Sequence, residues 1–211
     1  IPLVFGTIFQ QLYSFADTVI VGRCLGADAL GAVGATSSLH FLVLGFVQGT
    51  CVGFGIPVAQ SFGADEKAEM RRYFWNGTWL CILIGMILAL AATGMADTLL
   101  TVMGTPAELF SMSSVYIRIL FAGIPASILY NYSASVMRAA GDSRHPFYFL
   151  LISSVLNVIL DYVLIIFGGM GVDGAAAATV FSQFFSGVLN VWWMFRHMDI
   201  FQIRKEEMEV S

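Results

Sequence analysis

The sequence predicts an all-α membrane protein, a bundle of six transmembrane helices, and three observations predict it. Hydrophobic residues make up 58% of the 211 residues and charged residues 11%, with a mean hydropathy of +0.81, whereas an ordinary soluble domain carries about 25% charged residues. Six apolar runs recur along the chain, each at or above the roughly 20 residues a helix needs to cross ~30 Å of hydrocarbon. The basic residues gather in alternate connecting segments.

The first run, Pro2 to Gly22, stands at the very start of the chain, with neither an initiator Met nor a signal-peptide pattern before it; the chain is therefore expected to be a fragment of a longer protein. The second, Leu30 to Phe62, exceeds one span and is expected to tilt or to run on into the aqueous phase. The third is Phe74 to Ala96, the fourth Phe110 to Val136, the fifth Pro146 to Phe167 and the sixth Ala175 to Phe195. Polar or glycine-rich turns separate them: GRCLGAD, GADEKAEMRR, DTLLTVMGTPAE, MRAAGDSRHP and GGMGVDG. Residues 1–197 are read as one six-helix transmembrane lobe, and residues 198–211 as the start of a cytoplasmic linker.

Charge gives the orientation. Lys67, Arg71, Arg72, Arg138, Arg144, Arg196, Arg204 and Lys205, eight of the ten Lys and Arg, fall after segments two, four and six, while the opposite loops hold only Arg23. By the positive-inside rule the first group is cytoplasmic, and an even number of spans puts both termini there. Arg118, early in segment four, is expected to snorkel to the outer interface.

Several function classes lack their signatures. Cys24, Cys51 and Cys81 show no metal or CxxC spacing and read as small apolar residues. His40, His145 and His197 are scattered, and no HExxH, P-loop or GxSxG pattern occurs. The sequons at Asn76 and Asn131 fall at cytoplasmic or intramembrane positions, where glycosylation is not expected. Neither an enzyme, a resident cofactor nor a nucleic-acid partner is expected.

Intramembrane polarity carries the functional signal. Of fourteen acidic residues only Asp17 and Asp161 lie inside spans. Each sits about fifteen residues into a segment running in the same direction, segments one and five, so the two carboxylates can share one depth. Asn157 precedes Asp161 by four residues and projects from the same helix face. Thr179, near the start of segment six, returns to that level if segments five and six pack antiparallel. Burying an ionised carboxylate without partners costs several kcal/mol or more, and three chemistries answer that cost. The four oxygens can hold a hard cation; the carboxylates can share a proton, since two like charges in a low dielectric do not both ionise; or both can simply join helices by hydrogen bonds. The stretches DTVIVGRCLGADALGAVGAT from Asp17 and DYVLIIFGGMGVDGAAAAT from Asp161 echo each other, so segments one-two and five-six are expected to pack alike.

The helix-one and helix-two stretch DTVIVGRCLGADALGAVG with its upstream Pro2, the loops FGADEKAEMRR and MRAAGDSRHPF, and NVILDYVLII followed by GAAAAT resemble, in order and over essentially the whole chain, the multidrug and toxin extrusion (MATE) family. The resemblance implies the N-terminal six-helix lobe of a transporter, normally followed by a second pseudo-symmetric lobe that this chain lacks. It assigns Asp17, Asn157, Asp161 and Thr179 to a site for H⁺ or Na⁺. Pro2 becomes the point where helix one bends when that site is neutralised. Arg138, Gly141, Asp142 and Pro146 match the family's RxxGDxxxP loop motif, with a structural role. Tyr162 stands where many members have proline, so the fifth helix is expected to be straighter here.

The resemblance further implies a multi-pass protein of the bacterial inner membrane, an antiporter that exports amphipathic organic cations by alternating access, with the coupling ion as its only cation. The Phe, Met and Tyr residues of the spans suit such substrates. Three alternatives accompany this reading. A lipid-linked saccharide flippase would want a basic central cavity, and an intramembrane aspartyl protease would want YD and GxGD contexts where FADT and ILDYV stand. A non-transporting scaffold would tolerate Asn at both aspartates.

Overall fold

The computed structural model describes residues 15–198. Helix α1 is described over residues 15–25. It is followed by α2 (Ala27–Gly63), α3 (Lys67–Val102), α4 (Ala107–Ala122), α5 (Ile124–Ala139), α6 (Arg144–Tyr162), which continues into a π turn (Val163–Phe167), and α7 (Val172–His197). No strand occurs among the described residues. Four of these helices are long and apolar enough to cross a membrane, and α4 with α5 forms a fifth span bent by 44°. Most of the first expected segment, including Pro2, lies outside the described residues, as do Arg204 and Lys205.

The helices outrun the apolar segments. At 1.5 Å per residue the 37 residues of α2 reach about 55 Å, well past the ~30 Å hydrocarbon layer, as expected for that segment. The third segment is also longer than its apolar core: α3 runs from Lys67 to Val102, so Lys67, Arg71 and Arg72 are helical and only residues 64–66 form the turn. The flanking Lys, Glu, Met and Arg residues are good helix formers and continue the helix past the apolar edge. The basic side chains still gather at one end of the bundle, where α3 and α6 start and α5 and α7 finish.

One expectation about helix shape is corrected. The fourth segment is not one helix, because Gly123 and Pro125 divide it. Proline has no N–H to offer the preceding turn and its ring crowds that turn's carbonyl. A Cβ on Gly123 would run into the Val180 side chain of α7, so only glycine lets the corner seat there. In the fifth segment, which runs from Arg144 to Phe167 as one span, regular α-helix ends at Tyr162, directly after Asp161, and the next turn widens, the Gly168 N–H donating to the Val163 carbonyl at 2.9 Å. Such π turns arise without proline and concentrate at functional sites.

Helix α5 is the hub, packing against α2, α3 and α7. Small residues permit it: Gly55 of α2 abuts Ser135, Gly77 and Gly85 of α3 abut Tyr132 and Ile128, and Gly187 of α7 abuts Leu129 and the Tyr130 backbone. None of the four glycines has room for a methyl group. The Tyr132 hydroxyl donates to the Phe74 carbonyl of α3 at 2.8 Å, and Phe74 and Tyr132 stack with centroids 6.2 Å apart.

Candidate cation site at the α1, α6 and α7 contact

Helix α6 runs antiparallel to α7 and is held against it by the Ser153 hydroxyl, which donates to the Ser182 carbonyl at 2.6 Å. That register sets Asn157 beside Thr179, with the Asn157 Nδ2 3.5 Å from the Thr179 Oγ1. One turn on, Asp161 lies against Asp17 of α1, the two carboxyls close enough to interact directly. All four residues expected from the sequence are therefore buried at one contact, with Asn157 and Asp161 0% exposed and Asp17 7%. Both Asp161 oxygens, the Asp17 Oδ1 and the Asn157 Oδ1 have no hydrogen-bond partner among the described residues.

Chemically this is a cluster of hard oxygen acceptors, and among the described residues no basic side chain is paired with it. Two carboxylates facing each other repel, and neither donates a hydrogen bond, so a shared proton or a bound cation is what relieves the pair. The π turn that follows Asp161 leaves it at the end of a regular helix. Among the described residues no group of three His, Cys, Asp or Glu could hold a metal ion. The donors here are two carboxylates, an amide carbonyl and a hydroxyl, a set suited to Na⁺ or H⁺.

The other sequence-assigned residues lie elsewhere. Asp142 caps the start of α6: its Oδ1 accepts from the Arg144 and His145 N–H groups, each at 3.1 Å, and its Oδ2 lies 2.7 Å from the His145 Nδ1. Gly141 holds φ = +88°, a conformation that favours glycine. Arg138 occupies the last turn of α5, and its carbonyl accepts from the Gly141 N–H at 3.0 Å; Pro146 is buried in the first turn of α6. Together these residues build the α5 to α6 corner. Arg118 does not merely snorkel: its Nη2 lies 2.6 Å from the Asp97 Oδ2, and both side chains are about half exposed. The echo is imperfect, because Thr36 donates to the Val33 carbonyl of its own helix at 2.9 Å, whereas Thr179 faces Asn157.

Sequence reasoning passed over a row of polar residues next to this site. Ser153, Ser182 and Ser186 join Asn157 in lining a polar cavity of about 20 Å³, with no Lys or Arg in its lining. The spacing of Thr179, Ser182, Ser186 and Asn190 on α7 was the available signal. The aromatic and Met surface is separate: a cavity of about 320 Å³ between α3, α5 and α7 is lined by Phe74, Trp75, Met86, Met194 and Phe195, and no acidic residue lines it.

A membrane-embedded helical lobe with paired carboxylates at its core defines the chain as a multi-pass membrane protein, and the comparisons with known proteins define it further. The family model MatE matches residues 2–163. The chain is 34% identical over 186 residues to the probable multidrug resistance protein YoeA of Bacillus subtilis, covering 86% of this chain and 40% of that protein. To the probable multidrug resistance protein NorM of Thermotoga maritima it is 28% identical over 210 residues, 97% of this chain and 45% of that one. Among solved structures, the outward-facing conformation of a multidrug resistance MATE family transporter of the MOP superfamily superposes with a TM-score of 0.89 at 27% identity, covering all of this chain and 47% of the other. A MOP superfamily transporter from Pyrococcus furiosus, described as having a binding pocket of reversed polarity, matches with the same TM-score at 27% identity over 46% of its chain. The chain belongs to the MATE family, whose members are transporters and not enzymes, so the aspartyl-protease reading falls. It spans less than half the length of these relatives.

Proposed function

We propose that this chain is one lobe of a cation-coupled antiporter that exports amphipathic organic cations from the cell by alternating access. The observation that carries the reading is the buried oxygen cluster of Asp17, Asn157, Asp161 and Thr179, in which both Asp161 oxygens lack a hydrogen-bond partner among the described residues. Na⁺ or H⁺ enters this cluster from outside, where the membrane field favours entry by about 2.3 kcal/mol per charge per 100 mV if the full potential is crossed. Neutralising the carboxylates removes their repulsion, lets α1 bend at Pro2 and closes the drug pocket, so that substrate leaves outward. The protein sits in the bacterial inner membrane with its basic end and both termini cytoplasmic, and residues 198–211 begin the link to a second lobe.

Helix α2 supports the second lobe. Gly45, Gly49 and Gly53 recur every four residues on one exposed face, with nothing within 4 Å of where a Cβ would stand, and exposed Gln48 shares that face. Small residues at this spacing let another helix approach closely, and a glutamine is costly against lipid. The flippase alternative wants a basic cavity, and the polar cavity here has none.

The test is efflux from cells carrying the transporter with Asp17→Asn, Asp161→Asn or both. Asn keeps the volume and removes the charge, so both single variants should fold, fall at least about tenfold in efflux, and lose little more when combined, because groups acting as one unit are not additive. Asp161→Asn with wild-type efflux and an unchanged dependence on pH and sodium would leave these residues as helix-joining groups only.

A further inference from the structure

The cavity of about 320 Å³ between α3, α5 and α7 differs in kind from the carboxylate site. Its lining is mostly apolar, and the hydroxyls that border it already donate to backbone carbonyls. Those of Thr78 and Tyr132 both donate to the Phe74 carbonyl at 2.8 Å, and that of Ser133 donates to the Leu129 carbonyl at 2.6 Å. A wall whose polar groups are already satisfied suits an apolar guest.

The cavity opens sideways, since Ile82 and Met86 in its lining are each about half exposed. Its α5 wall, Pro125, Leu129 and Tyr132, lies on the opposite side of that helix from Tyr130 and Asn131, at 3.6 residues per turn. Tyr130 and Asn131 line the polar cavity together with Leu44 and Gln48 of α2, on the side assigned above to a second lobe. The apolar cavity therefore faces away from that lobe, toward lipid.

Two features decide what lipid meets there. All four tryptophans of the chain, Trp75, Trp79, Trp192 and Trp193, stand at the basic end of the bundle on α3 and α7, and tryptophan collects where hydrocarbon gives way to headgroups. On α3, moreover, Lys67, Arg71, Trp75, Thr78, Ile82 and Met86 follow at intervals of four, four, three, four and four residues, so they share one helix face. From Trp75 to Met86 that face runs about 16 Å at 1.5 Å per residue, close to the depth of one leaflet of a ~30 Å hydrocarbon layer. Arg71 stands about 6 Å beyond Trp75, within a headgroup layer of ~5–8 Å, and Lys67 one turn further out. Glu69 is two residues from each of these cations and so lies on a different face.

We propose that this groove binds one anionic phospholipid, with an acyl chain lying between α3 and α7 from Trp75 to Met86 and the phosphate held by Arg71 and Lys67. A guanidinium has five N–H donors in a fork that matches phosphate, so Arg71 takes the headgroup beside any other partner. The charge of the guest follows from the mouth of the groove. An organic cation of the kind proposed as cargo is repelled by Arg71 and Lys67, no acidic side chain among the described residues lines the wall, and an anionic lipid is attracted. The proposal rests on the one-lobe reading for the direction the groove faces, and holds whatever ion couples transport.

Native mass spectrometry of the intact protein, released from nanodiscs of equal parts phosphatidylglycerol and phosphatidylcholine with matched chains, tests it. The wild type should retain one lipid and favour phosphatidylglycerol by at least about tenfold, and Arg71→Gln and Lys67→Gln should each cut that preference about fivefold. Lys67 is exposed, so its variant folds even if that of half-buried Arg71 does not. Met86→Trp, which fills the groove from its exposed side, should lose the retained lipid. Equal retention of the two lipids by the wild type overturns the proposal, as does a preference unchanged in Lys67→Gln or full retention in Met86→Trp. Displacement by glycerophosphoglycerol, the same headgroup without chains, would make this a phosphate site and overturns it too. Asp17→Asn and Asp161→Asn should retain the lipid as the wild type does, so this measurement and the efflux test fail independently.

Discussion

Replacing Gly187 by Ala tests the packing that positions α7, and with it Thr179 and the buried polar row of Ser182, Ser186 and Asn190. A Cβ at Gly187 would stand 2.8 Å from the Leu129 Cγ and 2.9 Å from the Tyr130 backbone nitrogen. The leucine can turn aside, but the backbone of α5 cannot. To restore carbon contacts of about 3.5–4.0 Å the two helices must part by somewhat under about 1 Å. Overpacking of this kind costs about 1–3 kcal/mol, and removing a glycine from a helix interior returns up to about 1 kcal/mol. With backbone on one side of the clash the net loss should be about 1–2 kcal/mol, a fall of roughly 2–8 °C in Tm for a chain of this size. Gly94→Ala on α3 is the matched control: nothing lies within 4 Å of its Cβ position, so it should gain about 0.5–1 kcal/mol. The assay is thermal unfolding of the purified protein in one detergent. If Gly187→Ala were as stable as the wild type, α5 and α7 would not be in the close contact described, and the register that sets Thr179 beside Asn157 would lose its support.

Two further outcomes are expected. Gly77→Ala should destabilise the protein because its methyl would meet the Tyr132 hydroxyl, and most of that loss should vanish in a Tyr132→Phe background, since the two sites are in contact and so not additive; equal losses in both backgrounds, measured by denaturant unfolding, would contradict the contact. Asp142→Ala should cost about 1–2 kcal/mol by stripping the first-turn N–H groups of α6 of their acceptor, while Asp142→Asn should keep most of the stability. Amide hydrogen exchange at Arg144 and His145 checks it, and unchanged protection in the Ala variant would refute the capping role.

Much of the candidate site was legible because it depends on helix periodicity and on the membrane as solvent. An apolar chain with two carboxylates inside its spans has few ways to tolerate them. The four-residue spacing of Asn157 and Asp161 puts both on one helix face in any fold. The MATE resemblance assigned Asp17, Asn157, Asp161 and Thr179 to one site, and the structure buries all four at one contact. Span count and charge asymmetry needed no tertiary information either, since hydropathy and loop charge are local properties.

The tertiary structure decided what depends on a partner helix. The Gly-x-Pro pair at Gly123 and Pro125 reads as part of a continuous span, because neighbouring helices often re-satisfy a freed backbone within membranes; only the seating of Gly123 on Val180 makes it a 44° corner. Arg118 and Asp97 are 21 residues apart, and their pairing follows from the register of α3 against α4. The α7 stripe shows the reason most directly. A serine in a helix can donate to its own backbone, as Ser154 does, or turn to a neighbour, and its sequence context is the same in both cases. By itself the sequence determined that this is a membrane bundle with two acidic residues in its spans. That the side chains of Ser182, Ser186 and Asn190 stand buried with polar atoms unpartnered among the described residues was settled by packing alone, because a side chain's missing bond exists only once its neighbours are in place.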